Sequence, residues 1–580
     1  MTEAVRLYGT DVPPAVSERI KVGRLSFTLE EGALRHICVD GTEIIRGIAF
    51  LVRDGDWGTL TPKLSEVSRN CDAERFSVIL KAGFDTANAT LEVSILIDAG
   101  PAGLSMRAEG LPKGTFETNR TGFSVLHPAG LAGCPVSIIH SDGTTEASTF
   151  PTLIDPWQPF MDIISMTHRA NGLAVCCAFE GDTFETEDQR QWGDASYKTY
   201  VRPLALPWPY FLTDGEPFSQ SVSIDWEQDN TQLHAFCDNP TSSKMAFPET
   251  AIFLNAHDAR RLLKHPEDIV QVSPQRLLCH LDATTNEISK QIKTFAKLQV
   301  LLPELIFDLE LICGFDKDPL IELQNVQSTM LAAGLKPDSV LVCPAVDRQS
   351  TPPGSDWPSC PPLTEIHRAS AAVFTDCVRG GGMVSFFPEL NRKRPPIELL
   401  DFVSHSLCPI VHAADDISVM ETLETIPHIT RTARAIMGEA SYRIGPSTIA
   451  MRLNPYGQRT ILNHDRSRVC MAHDDPRHGA VFGGAYVIGL ACALAPAGVA
   501  VWTPSELYGP RGLKGPLSDA IALLASCAGE RVQKAVLING TAELIIGQTR
   551  ILANLTSEPQ FGLLPYEFKA TQALSSTVGL

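Results

Sequence analysis

The first part of the chain, up to about residue 235, consists of short stretches in which apolar and polar residues alternate. LSFTLEEGALRHICVDGTEII, RFSVILKAGF and TLEVSILIDA show this alternation, and turns with glycine or aspartate separate them. A period of two is typical of half-buried β-strands, and many short strands in succession are typical of a sandwich. The pattern therefore predicts an N-terminal antiparallel β-sandwich over residues 1–237, without a convincing helix.

Beyond residue 250 strand-like apolar runs alternate with helical periodicity. Seven strands are predicted, namely Leu277–Asp282, Leu305–Leu311, Val340–Ala345, Met383–Leu390, Phe402–Val411, Ile444–Met451 and Val499–Trp502. The predicted helices are Asn286–Leu298, Pro319–Ala333, Leu363–Val378 and Ile426–Met437. This rhythm indicates a (β/α)8 TIM-like barrel over residues 250–512, with a doubly wound sheet as the alternative. An eighth strand is expected between Arg452 and Ala480.

Two further segments complete the predicted organisation, a multidomain α/β plus β protein. The polar, proline-containing stretch at 238–250 is predicted to be a linker. A helix at Leu517–Ala528 and three short strands after it predict a small C-terminal β domain over 516–580. The run Gly380–Gly382 is interpreted as a tight turn between a helix and a strand, because a phosphate-binding loop would follow the strand.

Charge and targeting signals narrow the classes of partner. With 48 Lys and Arg against 67 Asp and Glu, the net charge is −19, which would repel nucleic acid. The N-terminus lacks a signal-peptide pattern, and the longest apolar stretch, Val487–Val501, is shorter than a membrane span. We therefore expect a cytoplasmic protein with no nucleic-acid or membrane partner, and the sequence leaves a homo-oligomer open.

Several catalytic signatures are missing from the sequence. The 15 cysteines form no CxxC pair and are expected to be buried free thiols. GxSxG, Walker A and HExxH are all absent. No cofactor is predicted, and no metal either, although scattered His, Asp and Glu leave a metal site open.

Polar residues at predicted strand ends are the candidates for chemistry, because barrel active sites lie at the carboxyl ends of the strands. They are His280 and Asp282, Asp308 and Glu310, Asp347 and Arg348, Glu389 to Arg394, His405, His412 with Asp415 and Asp416, Arg452 with Asn454, and Glu506. Acids, histidines, Asn and Arg together suit acid/base work on a small polyhydroxylated molecule.

Glu389 is the strongest single candidate, since a carboxylate ending a buried strand is costly unless paired or used. Pairing with Arg392 or Arg394 is the structural alternative. His405 and His412 are seven residues apart, so strand geometry allows at most one of them to be catalytic.

The remaining candidates also have structural alternatives. Glu310 is a candidate for substrate contact that could instead pair with an arginine in the barrel core. Glu506 could be a second carboxylate or a solvated loop residue. Asp415 and Asp416 could orient a histidine or cap the next helix. The stretch from Phe179 to Leu212 is rich in acids, bases and aromatics, and it predicts either a wall of a sugar site or an interdomain salt-bridge network.

Five longer segments are spread over almost the whole chain. They are VRLYGTDVPP, FLVRDGDWGT, FEGDTFETEDQRQWGDASYKTYVRPLALPWPY, ELNRKRPP and VHAADDISVMETLE. Together they resemble the bacterial D-apionate lactonases. The resemblance implies an N-terminal β domain, a TIM barrel and a small C-terminal β domain. It also implies hydrolysis of a sugar lactone, D-apionolactone, to D-apionate in the catabolism of the branched pentose apiose. No family motif carries catalytic residues to positions of this chain.

Lactone hydrolysis requires a base for water and donors for the oxyanion, and an acid for the leaving alkoxide is optional. The strand-end residues suggest Glu389 as base, His412 or His405 as acid, and Asn391 and Arg392 as donors. Asp282, Glu310 and Asp416 would contact substrate. One alternative is a TIM-barrel glycoside hydrolase with Glu389 as acid/base and Glu506 or Glu310 as nucleophile. A second alternative is a non-catalytic carbohydrate-binding protein.

Overall fold

The computed structural model describes residues 2–55, 57–229, 245–351 and 355–573. The chain forms two compact units. One comprises Ala15–Arg190 and Ala195–Cys237, and the other comprises Met1–Pro14, Gln191–Asp194 and Asp238–Leu580. Residues 238–244 of the predicted linker lie outside the described residues, and the three predicted domain limits stay predictions.

A short helix, α1 (Glu3–Tyr8), precedes the first strand, and the Thr2 hydroxyl caps it by accepting from the amide of Val5. The sequence-based expectation of no helix before residue 237 was therefore wrong at this point. Six residues make less than two turns of α-helix, so no apolar periodicity could reveal this helix.

The first unit is an antiparallel β domain, as predicted. Its strands are β1 (Ser17–Val22), β2 (Leu25–Glu30), β3 (Ala33–Val39), β4 (Thr42–Arg53), β5 (Lys63–Cys71), β6 (Phe76–Asp85), β7 (Thr90–Gly100), β8 (Gly103–Lys113), β9 (Phe116–Thr118), β10 (Arg120–Pro128), β11 (Pro135–His140), β12 (Thr145–Thr149), β13 (Phe160–Ala170), β14 (Leu173–Glu180), β15 (Phe184–Glu187), β16 (Ser196–Val201), β17 (Tyr210–Leu212) and β18 (Phe218–Gln228). The main path of the large sheet runs β1-β2-β3-β4-β10-β16-β15-β13-β14-β18-β8-β7-β6-β5, while β9 and β17 form a separate pair. Burial alternates along β6 and β7, as the period-two pattern requires.

The second unit contains a closed barrel of eight parallel strands, which confirms the predicted barrel and excludes the doubly wound sheet. In chain order its elements are β19 (Glu249–Asn255), α2 (Ala256–Leu262), α3 (Glu267–Val270), β20 (Arg276–Asp282), α4 (Ile288–Leu301), β21 (Ile306–Cys313), α5 (Pro319–Ala333), β22 (Ser339–Pro344), α6 (Leu363–Val373), β23 (Val378–Phe386), α7 (Phe387–Lys393), β24 (Phe402–Leu407), α8 (Asp416–Glu421), α9 (Ile426–Met437), β25 (Ser441–Ser447), α10 (Val481–Leu494) and β26 (Val499–Glu506). Helices α5 and α9 have the predicted bounds.

The eighth strand is β19, which begins the barrel and pairs with both β20 and β26. The prediction of a strand between Arg452 and Ala480 was wrong, because that segment contains only an isolated bridge between Ile461 and Ala472. The apolar run of β19 is short and directly follows the polar stretch around residue 245, so the sequence pattern attached it to the linker.

The run Gly380–Gly382 lies inside β23 and is not the turn that the sequence suggested. A β-carbon at Gly380 would lie 2.1 Å from the ring of Phe402, and one at Gly382 would lie 2.2 Å from the carbonyl oxygen of Ser404. Strand β24 therefore approaches β23 too closely for side chains at these positions. The strand ends at Phe386, and the predicted strand residues after it form α7 instead.

The C-terminal part of this unit is a helix followed by a small antiparallel sheet, as predicted. The elements are α11 (Gly515–Ala525), β27 (Val532–Ile538), β28 (Thr541–Ile546), β29 (Thr549–Asn554) and β30 (Phe568–Gln572). None of the helices in the described part of the chain combines the length and apolar character that a membrane crossing requires.

The close contact of β23 and β24 generates a stability test. We expect Gly382→Ala to lower the free energy of unfolding by more than about 3 kcal/mol, because it combines a positive φ with a backbone clash. Gly334→Ala is the matched control, since Gly334 also has a positive φ, of +78°, but open space around it, and we expect it to cost about 1–2 kcal/mol. Urea denaturation of both variants measures the difference, and equal losses would contradict the packing argument.

Candidate active site

The carboxyl ends of the eight barrel strands form one rim, called the mouth here. Two groups of ionisable side chains lie at or below it. One is centred on Glu310 and His280, and the other extends from Glu389 to His412. Two predicted residues, Asp282 and Glu506, end their strands at this rim.

Glu310 lies in the interior of the barrel, where it forms an ion pair that crosses from one wall to the other. It belongs to β21, whereas Arg452 follows β25, and three strands separate these two on either side of the closed barrel. Arg452 donates to both carboxylate oxygens of Glu310, at 2.7 and 3.2 Å. The predicted alternative of arginine pairing is thus present, and Glu310 has a second partner in His280.

His280 lies beside Glu310 on the neighbouring strand, and its Nδ1 is 2.7 Å from Glu310 Oε1. The side chain of His280 is 23% exposed, but that of Glu310 is only 4% exposed. The imidazole therefore connects the buried carboxylate to the mouth. No described residue is hydrogen-bonded to Nε2 of His280.

The charge of Glu310 determines what His280 can do. Burial raises the pKa of Glu310, but Arg452 and the His280 ring outweigh this effect and bring the pKa down to about 2. The carboxylate is thus ionised at neutral pH and accepts a hydrogen bond from the Nδ1–H group of His280. In that tautomer Nε2 carries a lone pair, which is what a general base for water needs.

Asp282 and Arg348 form a second ion pair at the mouth, with Arg348 Nη1 3.0 Å from Asp282 Oδ2. The side chain of Arg348 is 34% exposed. Since both Arg348 and its partner Asp282 are partly exposed, Arg348 can contact a bound anion without leaving Asp282 as a buried, unpaired charge. Asp282 also accepts from Thr284, so it orders the segment after β20.

Glu389 lies in the first turn of α7 and is 2% exposed. Its Oε1 accepts from the Ser350 hydroxyl at 2.5 Å, the Thr351 amide at 3.1 Å and Arg392 at 3.1 Å. Lys393 is 3.7 Å from Oε2. The predicted structural alternative, pairing with Arg392, is therefore present, and Glu389 secures the loop after β22 to α7.

His412 follows β24 and is held by an aspartate from a distant part of the chain. Its Nδ1 is 2.7 Å from Asp194 Oδ2, and its Nε2 is 3.3 Å from the Tyr456 hydroxyl. The ring of Trp192 packs edge-on against His412 and also contacts Tyr456. The segment Gln191–Asp194 belongs to the same compact unit as the barrel. His412 lies five residues after the end of β24, so the histidine–carboxylate pair is on the side of the barrel where the mouth lies.

His405 and Asn391 are fully buried. His405 Nε2 is 2.7 Å from the Tyr442 hydroxyl and Nδ1 is 3.1 Å from the Ser406 carbonyl, and burial lowers the pKa of His405 to about 4. A neutral imidazole with both nitrogens engaged is a structural group here. Neither residue can reach a substrate at the mouth in this arrangement.

Glu506 and Asp416 are also occupied by arginines. Glu506 accepts from Arg511 at 2.8 Å and is 4% exposed, so it is not the solvated loop residue of the structural alternative. Asp416 accepts from Arg468 and Arg477, both at 2.9 Å, in the first turn of α8. Arg468 in turn donates to the backbone of the N-terminal segment, so Asp416 belongs to an internal ion cluster.

The rich stretch from Phe179 to Leu212 divides between the two units. Asp188 and Arg190 form a fully buried bidentate pair within the β domain. Trp192 and Asp194 instead lie at the mouth. The sequence marks this stretch as rich in charged and aromatic residues, and it includes His280 and Arg452 among the candidates. It does not reveal that Asp194 and Tyr456 contact His412, because no local pattern links residues as far apart as the 218 positions between Asp194 and His412.

A cavity lies at the opposite end of the barrel. Its volume is about 470 Å³, and it lies where β19 and β20 begin, between Glu249, Gln275 and Ala522. It contains none of the groups above, so we give it no role in the chemistry. No group of three or more His, Cys, Asp or Glu in the described segments has the arrangement of a metal site.

Comparison with known proteins identifies the family. A model of the D-apionate lactonase N-terminal domain matches residues 5–229, and a model of the D-apionate lactonase TIM barrel domain matches residues 250–536. A D-apionate lactonase of Brucella anthropi is 41% identical over 583 residues, covering 96% of this chain and 95% of that protein. The chain belongs to the D-apionate lactonase family. This confirms the resemblance seen in the sequence.

Solved structures resemble the chain only distantly. A 4-O-α-L-rhamnosyl-β-D-glucuronidase from Fusarium oxysporum is 10% identical with a TM-score of 0.37, covering 55% of this chain and 79% of that one. An α-galactosidase from Geobacillus stearothermophilus is 11% identical with a TM-score of 0.27, covering 93% and 91%. Likeness at this level carries no weight for function.

The cross-barrel ion pair predicts a pH-dependent stability. We expect Arg452→Met to lower the free energy of unfolding by about 3–5 kcal/mol at pH 7, because it leaves Glu310 buried without its cation. The pKa of Glu310 lies below its usual 4.5, so the pair stabilises the fold above that pH and the stabilisation is lost as the pH falls toward 2. The gap between wild type and variant should therefore narrow in acid.

Urea denaturation at a series of pH values measures this gap. Arg348→Met is the matched control, since it removes a partly exposed cation from the mouth and should cost no more than about 1 kcal/mol. If both variants lost a similar amount of unfolding free energy at pH 7, the buried pair would stabilise the fold no more than the partly exposed one.

Proposed function

We propose that the chain hydrolyses D-apionolactone to D-apionate at the mouth of its barrel. Membership of the D-apionate lactonase family supports the substrate, and the Brucella anthropi relative matches along nearly its whole length. The observation that carries the chemistry is the His280–Glu310 pair, a partly exposed imidazole oriented by an ionised, buried carboxylate.

In the proposed reaction His280 is the general base. Water loses a proton to Nε2 as its oxygen attacks the lactone carbonyl, and the ionised Glu310 stabilises the imidazolium that forms. Arg452 keeps Glu310 ionised and so acts through it. Arg348, at the rim, is placed to stabilise the oxyanion or to hold the carboxylate that the reaction releases.

The ring oxygen must leave as an alkoxide, and His412 is the group that we assign to protonate it. Asp194 orients its ring through Nδ1, as Glu310 does for His280. Trp192 and Tyr456 flank the imidazole with aromatic surface that suits the carbon face of a small sugar. Two oriented imidazoles thereby supply a base and an acid for lactone hydrolysis.

The glycoside hydrolase alternative finds less support. It needs two carboxylates that face one glycosidic bond. Each of its three candidates accepts from an arginine, Glu389 from Arg392, Glu506 from Arg511 and Glu310 from Arg452. The carbohydrate-binding alternative leaves the two oriented histidines without a role.

His280 is tested first. We expect His280→Gln to reduce kcat on D-apionolactone by about 10²- to 10⁴-fold, since the general base is lost. Release of acid, followed with a pH indicator in weak buffer, measures turnover, and an unbranched pentonolactone tests selectivity for the branch. His265→Gln, at an exposed position on the barrel, is the matched control and should keep wild-type turnover. A His280→Gln enzyme with near-normal kcat would refute the assignment.

Asp194→Asn tests the second imidazole. The amide should turn or retautomerise His412, so we expect kcat to fall about tenfold or more with KM little changed, and the pH–rate profile to shift. Glu389→Gln gives the comparison. If Glu389 only positions the loop after β22, Glu389→Gln should lower kcat by less than about tenfold. If Glu389 were the catalytic base, the same substitution would lower kcat at least about a hundredfold.

A further inference from the structure

Two arginines of the β domain form no ion pair with any acidic residue that the structure describes. No described carboxylate lies within ion-pair distance, 4.0 Å, of Arg120 or Arg202, although Arg120 is only 7% exposed and Arg202 is half-buried. The same domain contains Arg190, which is fully buried and donates hydrogen bonds to both carboxylate oxygens of Asp188. A buried guanidinium without an anion is costly, so Arg120 and Arg202 differ from an ordinary structural arginine.

Aromatic rings hold both guanidiniums in place. The Cζ atom of Arg120 lies 3.8 Å from the ring centroid of Tyr200 and 5.4 Å from that of Trp57. Arg202 lies 4.5 Å over the ring of Tyr210. The Tyr210 hydroxyl accepts from the amide of Thr121, the residue after Arg120, so the two arginines are tied to one short segment. Stacking orients the cations but supplies no acceptor for their N–H groups.

Part of this donor capacity remains open. Nε of Arg120 and Nε of Arg202 are buried without an acceptor, whereas the terminal nitrogens of both are not sealed from solvent. Trp57 and Trp208 pack edge to face beside Arg120, with ring centroids 5.3 Å apart, and Trp208 is 41% exposed. Guanidinium N–H groups without an acceptor are suited to bind a carboxylate. The exposed indole beside them is suited to pack against the carbon skeleton of a sugar-like molecule.

We propose that Arg120 and Arg202 bind the carboxylate of an open-chain polyhydroxylated acid, with its carbon skeleton against Trp57 and Trp208. All four of these residues belong to the β domain. The choice of D-apionate as the acid to test rests on the proposed function, but the site itself does not.

Neighbouring acids favour a singly charged ligand. Glu185 lies under the same aromatic layer, where it accepts from the Tyr200 hydroxyl and from the amide of Leu204. Asp182 and Glu187 add further negative charge near Arg202 and Tyr200, respectively. These charges partly offset the two arginines, so a carboxylate should bind better than the phosphate dianion.

Fluorine NMR of the full chain labelled with 5-fluorotryptophan tests the site directly. Trp57→Phe and Trp208→Phe assign the two resonances. We expect both to shift saturably with D-apionate, much less with inorganic phosphate, and not with uncharged D-xylose. Arg120→Met should raise the D-apionate concentration that produces half of the maximal shift by about tenfold or more. Arg107→Met, which removes an exposed arginine of the same domain, should leave the titration unchanged.

Arg202→Met, at a half-buried position, serves as the second variant if Arg120→Met does not fold. The absence of a shift with D-apionate would overturn the proposal, and so would titrations that neither arginine variant weakens. A phosphate response as strong as that of D-apionate would overturn the sugar-acid assignment. Since the readout is local to Trp57 and Trp208, it stays interpretable even if the chain fails to hydrolyse D-apionolactone.

Discussion

The interior of the barrel contains two buried acidic side chains, and arginines from the opposite wall pair with both of them. Asp308 and Glu310 are two residues apart on β21, so they share the inward face. Arg443 on β25 reaches Asp308 at 3.2 Å, and Arg452 after β25 reaches Glu310 at 2.7 Å. Each of these pairs crosses the interior. The neighbouring strand β20 supplies one partner to each carboxylate, Arg276 to Asp308 and His280 to Glu310. Closure of the barrel adds the arginine from the opposite wall, which offsets the cost of burying each negative charge.

The pair of Arg452 and Glu310 contributes both to the stability of the barrel and to the proposed chemistry. Arg452 holds Glu310 ionised, and the ionised carboxylate in turn holds one tautomer of His280. His412 has the same kind of arrangement with Asp194, but both of its partners come from irregular segments rather than strands. The two imidazoles thus have different supports, one rigid and one made by loops.

Much of the fold could be read from the chain because its signals are local. Helices α5 and α9 have their predicted bounds, since proline near the first turn and glycine after the last residue mark both ends. The β domain and the small C-terminal sheet follow from period-two alternation. The wrong predictions arose where a local pattern was ambiguous. Strand β19 carries too short an apolar run beside a polar stretch, and the glycines of β23 look like a turn until β24 is seen packed against them.

The sequence by itself determined the antiparallel β domain, the alternation of strands and helices that forms the barrel, the family and most of the polar residues near the mouth. Only the tertiary structure decided which of those residues are available. Glu389, Glu506 and Asp416 are taken up by arginines, and His405 is enclosed between β24 and its neighbours. Asp194 reaches His412 across 218 positions of sequence. The physical reason is that hydrophobic periodicity reports how each segment faces the core, whereas the partner of a charge is set by distances between segments that meet only in the folded chain.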